Sequence, residues 1–152
     1  MTTTREFDIL LVEDNPVDAE LVQEALKETQ IPHKLDLVTN GEDALTNLDR
    51  RDVRPDLILL DLNLPKLSGF EVLATLKQDL QLRLIPVIVL TNSMSPDDIR
   101  RCYSLYANAY VRKSVGFDEL FSNLLRAGHF WFEVATLPER FPIFGRTIRP
   151  PK

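Results

Sequence analysis

The chain has one cysteine, Cys102, so no intrachain disulfide can form and the fold must rest on its core, as suits a reducing compartment. Cys102 falls in a helical pattern and reads as a packing residue rather than a reactive thiol. No apolar run reaches the roughly 18 to 20 residues that a membrane-spanning helix needs. The start, Met1-Thr-Thr-Thr-Arg-Glu6, has no apolar signal core, so a cytoplasmic, membrane-free protein is expected. Basic charge is scarce too: the formal net charge of −5 argues against a general nucleic-acid surface. Only the end is basic, with Arg140, Arg146, Arg149 and Lys152 against Glu139. His33 and His129 are the only histidines, and they read as surface or packing residues. No Cys/His cluster is present to hold a softer metal.

The 152 residues, 44% hydrophobic and 27% charged, suit one soluble globular unit with an appendage. Phe7 to Val12 reads as a strand, and Asn15-Pro16 starts a helix, with Asn15 as cap and Asp18 closing a capping box. Val17, Leu21, Val22, Ala25 and Leu26 mark its apolar face. Lys34 to Val38 alternates like a half-exposed edge strand, and Gly41 to Leu48 is the next helix. Leu57 to Leu60 and Val87 to Leu90 are unbroken apolar runs, expected of central strands covered on both faces. Between them Phe70, Val72, Leu73, Leu76 and Leu80 form a helix opened by Ser68-Gly69. Pro96 to Tyr106 is a further helix, Ala109 to Arg112 a short strand, and Asp118 the cap of a long last helix. Such a βα alternation predicts one doubly wound parallel sheet with helices on both faces. Ligands of such sheets sit beyond the carboxyl ends of the strands.

Polar residues stand where the strands give out: Glu13 and Asp14, Asp61, Thr91, and Lys113. Each alone reads as a solvated polar residue at a strand end, but together they would share one crevice. Carboxylates forced together repel by about 4 kcal/mol per pair near 4 Å at an effective dielectric of about 20. A hard divalent cation such as Mg²⁺, which prefers oxygen ligands and often bridges carboxylates to phosphate, relieves this. A carboxylate can also attack phosphorus to give an aspartyl-phosphate. Asp61 is the expected nucleophile, because it ends the most buried strand and runs into the loop Leu62-Asn63-Leu64-Pro65. Glu13 and Asp14 would hold the metal, Lys113 would pair with the phosphoryl group, and the Thr91 hydroxyl would hydrogen-bond to it.

The segments Leu10-Leu-Val-Glu-Asp-Asn15, Asp56-Leu-Ile-Leu-Leu-Asp-Leu-Asn-Leu-Pro65, Val87-Ile-Val-Leu-Thr91 and Tyr110-Val-Arg-Lys113 resemble the motif set of two-component response-regulator receiver domains over about Phe7 to Leu125. The resemblance implies a flavodoxin-like five-stranded sheet of order 2-1-3-4-5. It makes Asp61 the phosphoacceptor for a sensor histidine kinase, and puts Glu13, Asp14, Asp61 and the backbone carbonyl of Asn63 around Mg²⁺. Thr91 and Tyr110 match the family's switch pair. Asn63 and Ser93 flank the path of an attacking water and should influence phosphate lifetime. One departure stands out: receivers usually follow the lysine with a cis proline, and here Lys113 precedes Ser114. A non-proline cis bond costs about 2.5 to 4 kcal/mol, so either the loop is built differently or its surroundings bear that strain.

After Phe117 the apolar residues cover more than one face of the last helix. A tail folded back would cover them; the preferred reading is a homodimer interface through Leu124, Phe130, Trp131, Phe132, Phe141 and Phe144. Phe130-Trp-Phe-Glu-Val-Ala-Thr-Leu-Pro138 resembles the C-terminal extension of phytochrome-associated response regulators, which implies a phytochrome-type kinase as partner. Residues 1–137 are expected to form the receiver domain and 138–152 a proline-rich arm lying extended on a neighbour. No effector domain has room after Leu137, so the expected protein is a stand-alone phosphoacceptor rather than an enzyme. A magnesium phosphohydrolase is disfavoured by Asn63, which stands where such enzymes place a second carboxylate. A vestigial scaffold is disfavoured by the complete pocket.

Overall fold

The computed structural model describes residues 6–140. Strands β1 (Phe7–Val12), β2 (His33–Val38), β3 (Leu57–Leu60), β4 (Val87–Thr91) and β5 (Ala109–Arg112) alternate with helices α1 (Pro16–Glu28), α2 (Gly41–Arg50), α3 (Gly69–Gln78), α4 (Pro96–Ser104) and α5 (Phe117–His129). The sheet is parallel throughout, in the order β2-β1-β3-β4-β5.

The unbroken apolar runs are explained by the two-residue period of a strand, which sends alternate side chains to opposite faces. Ile9 and Leu11 of β1 join Val22 and Leu26 of α1 and Leu120 of α5 in one core. Leu10 and Val12 join Leu48 of α2, Leu73 of α3 and Cys102 of α4 in the other. Each fully buried Leu or Ile contributes about 1.5 to 3 kcal/mol of burial free energy. The edge strand β2 is half-exposed, with Leu37 open to solvent, as is the other edge strand, β5.

Several helix ends differ from expectation. Asn15 caps α1 through its Oδ1, which accepts from the N–H groups of Val17 and Asp18, but the Asp18 side chain turns away to Lys113 instead of closing a box. Val17, expected on the apolar face, is 71% exposed. The box that does form is Ser68 with Glu71 at the start of α3. Leu80 lies beyond the end of α3 and is exposed. Gly116, not Asp118, is the cap of α5; its φ of 94° suits glycine, and Asp118 sits in the first turn, where a carboxylate complements the helix dipole.

The aromatic end also departs from expectation. α5 stops at His129 and continues as a π-helical turn over Phe130–Val134. That turn swings Phe132 inward to stack on Phe7, with ring centroids 4.5 Å apart. Leu124 and Phe132, expected at a dimer interface, are buried in the chain's own core. Phe130 remains exposed and Trp131 half-buried. Pro138 to Arg140 lies on its own body rather than away from it: the Arg140 guanidinium binds the buried Asp56 carboxylate at 2.7 Å, and Arg54 donates to the Glu139 carbonyl at 2.8 Å. Phe141, Phe144 and the rest of the arm fall outside the described residues. No described helix is long and apolar enough to cross a membrane.

Candidate functional site

The backbone ladder brings the strand ends level. The N–H of Glu13 donates to the Val38 carbonyl, that of Asp61 to Val12, and that of Lys113 to Thr91. These bonds continue the sheet by one residue, so each polar side chain emerges where the strand stops. Glu13, Asp61, Thr91 and Lys113 are buried there, while Asp14 is exposed at the mouth.

Carboxylate oxygens of Glu13, Asp14 and Asp61 lie within 4.8 Å of one another. The Lys113 ammonium sits among acids, 2.9 Å from Asp18 Oδ2, 3.3 Å from Asp61 Oδ2 and in close contact with Glu13 Oε1. Burial pushes the Glu13 carboxyl up to about 8, with Asp61 adding to the rise and the Lys113 hydrogen bond opposing it. Burial works against the Lys113 charge as well, yet its bonds to Glu13 and Asp18 outweigh that cost and hold it up at about 12. Lys113 is therefore a fixed cation in a pocket with an excess of acid.

The donor set fits a hard divalent cation. Three carboxylates converge, one from the solvent side, and the buried Glu13 Oε1 meets the Lys113 ammonium. A Mg²⁺ or Mn²⁺ ion would neutralise that excess. The Asn63 side is open: the residue is exposed, and its N–H reaches Asp61 Oδ1 at 3.4 Å.

Thr91 and Tyr110 are joined through Ser93. The Thr91 hydroxyl oxygen accepts from the Ser93 N–H at 3.3 Å, and the Tyr110 hydroxyl donates to the Ser93 carbonyl at 2.9 Å. Ser93 Oγ in turn donates to Asp98 of α4 at 2.6 Å. The described residues contain no cis peptide bond, so Lys113–Ser114 is trans and the loop is built differently from one with a cis proline.

Two residues at the pocket escaped the sequence reading. Asp18 resembled a capping residue, and no local signal distinguishes a first-turn carboxylate bonded to the backbone from one reaching across the fold. Gly69 supports Asp61 from behind, since a Cβ there would lie 2.1 Å from the Asp61 carbonyl oxygen. Its place directly after the α3 cap was visible, but the facing backbone was not.

Residues 9–125 match the family model described as the response regulator receiver domain. The chain is 46% identical over 135 residues to the response regulator Rcp1 of Synechocystis, covering 86% of this chain and 92% of that one. Among solved structures it resembles the phosphorylated cyanobacterial phytochrome response regulator RcpA, with a TM-score of 0.85 and 44% identity over 89% of this chain and all of that one. It also resembles the Mn²⁺-bound form of Rcp1, with a TM-score of 0.83 and 45% identity over 88% and 99% of the two chains.

Proposed function

The chain belongs to the response regulator receiver family, and we propose that it is phosphorylated on Asp61 by a sensor histidine kinase and signals through altered protein binding. The observation that carries this reading is the Asp61 carboxylate, buried between the Lys113 ammonium and the acids Glu13 and Asp14. In the transfer an Asp61 oxygen bonds to phosphorus as the donor's phosphorus–nitrogen bond breaks, and the leaving imidazole takes a proton. Glu13, Asp14, Asp61 and the Asn63 carbonyl would hold Mg²⁺, which would offset charge on the phosphoryl oxygens. Lys113 supplies a second cation and Thr91 a hydroxyl donor. Because Thr91 and Tyr110 meet at Ser93, a hydroxyl drawn toward the phosphoryl group would loosen the Tyr110 tie to the loop before α4. The added charge of about −1.5 to −2 would thereby alter the α4–β5 surface.

A phytochrome-type kinase is the favoured partner, by similarity to the cyanobacterial phytochrome response regulator RcpA. The receiver unit would reach Leu137, with 138–152 as the arm, and exposed Phe130 with half-buried Trp131 would contribute to a homodimer. Incubation with Mg²⁺ and acetyl phosphate should give an acylphosphate seen by intact mass. Its persistence in Asp61→Asn would refute the assignment. Sedimentation of Phe130→Glu tests the dimer, and an unchanged association constant would remove Phe130 from it.

A further inference from the structure

Resting on that reading of Asp61, we propose that Asp18 is a positioning residue that keeps the Lys113 ammonium beside Asp61 while the other carboxylates change partners. Asp18 occupies the third position of α1, where a short acid usually serves the helix end. Asn15 already fills that role, with its Oδ1 accepting at 2.9 Å from Val17 and 3.1 Å from Asp18. The Asp18 carboxylate is thus available for Lys113, and at 2.9 Å it approaches more closely than Asp61 at 3.3 Å.

An ammonium has three donors, and Lys113 faces three carboxylates: Glu13, Asp18 and Asp61. Glu13 and Asp61 also belong to the acidic trio that fits a cation, whereas Asp18 does not. A metal entering the trio competes with Lys113 for Glu13, and phosphorylation turns the Asp61 carboxylate into an acyl phosphate. Asp18 alone keeps its charge and its partner through both events. The lysine stem is four flexible carbons, and its head stays placed only if something outside the reacting groups holds it. With the Lys113 side chain 4% exposed and that of Asp18 23% exposed, the pair lies mostly out of water, where such a contact is screened less than at the surface.

The test uses the full chain with saturating Mg²⁺ and acetyl phosphate, and acylphosphate is followed by intact mass in the wild type, D18A, D18N, D18E, K113A and D18A/K113A. The maximum rate should fall about tenfold in D18A, equivalent to about 1.4 kcal/mol. D18N should lose less, and D18E should recover part of the loss by restoring the charge. Half-saturating donor and Mg²⁺ concentrations should stay within about twofold, because Asp18 touches neither, and D18A should add nothing in the K113A background. A merely structural ion pair would lower the melting temperature without changing the rate per folded molecule. That outcome, a faster D18A, or a full D18A effect on top of K113A would overturn the assignment while leaving Asp61 intact. If the wild type takes no label, the Asp61 reading falls and this assignment falls with it.

Discussion

The Tyr110 hydroxyl donates to the Ser93 carbonyl at 2.9 Å, which fastens β5 to the loop leaving Thr91. One hydrogen bond of this kind is worth about 1 kcal/mol net. Tyr110→Phe should lower unfolding free energy by about that amount in urea titrations, and amide exchange should quicken at residues 92–95. Unchanged exchange there would mean that the Ser93 bonds to Thr91 and Asp98 hold the loop without Tyr110.

Gly69→Ala should be far more damaging than its one methyl suggests. The new Cβ meets backbone, the Asp61 carbonyl at 2.1 Å and the Leu62 Cα at 2.6 Å, and neither is a flexible end that can swing aside. Overpacking of this sort costs about 1 to 3 kcal/mol, and the β3–α3 loop must shift to relieve it. Both the melting temperature and the acetyl phosphate labelling rate should fall; a variant that loses stability but labels normally would show that Asp61 is positioned independently of Gly69.

Divalent metal should stabilise the protein without being needed for folding, because both cores are closed without it. Binding to the native state alone adds about 2.7 kcal/mol at a hundredfold excess over Kd. Thermal unfolding with and without Mg²⁺ should show that gain in the wild type and lose it in Asp14→Asn. A chelator that unfolded the protein outright would contradict this account.

Cys102 should be inert while the fold is intact. It is fully buried in the core beneath α4, and burial together with nearby Asp98 pushes its thiol up to about 11. The reactive species is the thiolate. Iodoacetamide at pH 8 should label it slowly in buffer and readily in denaturing urea; equal rates would place the thiol at the surface.

The central strands were legible because two-sided burial leaves an unbroken apolar run, and Leu57 to Leu60 and Val87 to Leu90 had nothing polar to suggest a solvent face. The pocket was legible for a related reason: a parallel sheet puts all its carboxyl ends at one edge, so Glu13, Asp61, Thr91 and Lys113 could be grouped without coordinates. First-turn carboxylates were less readable. Asp18 and Asp118 both looked like helix-end residues, but one reaches across the fold to Lys113 and the other follows a glycine cap. Apolar periodicity likewise marks positions without saying what covers them, so Leu124 and Phe132 looked like interface, whereas α5 buries Leu124 in the core and the π-helical turn places Phe132 on Phe7.

The Arg140–Asp56 contact means that β3 carries an aspartate at each end, Asp56 before its first residue and Asp61 after its last. At about 3.3 Å per residue these two acids stand roughly 17 Å apart along one buried strand. One is matched to the tail's arginine and the other to the pocket's lysine. The body therefore has separate ion pairs at opposite poles of a single rod, and the Arg140 contact lies at the pole remote from the acidic pocket. Two buried strands join these poles directly, β3 and its neighbour β1, whose Asp8 N–H donates to Asp56 and whose far end runs into Glu13.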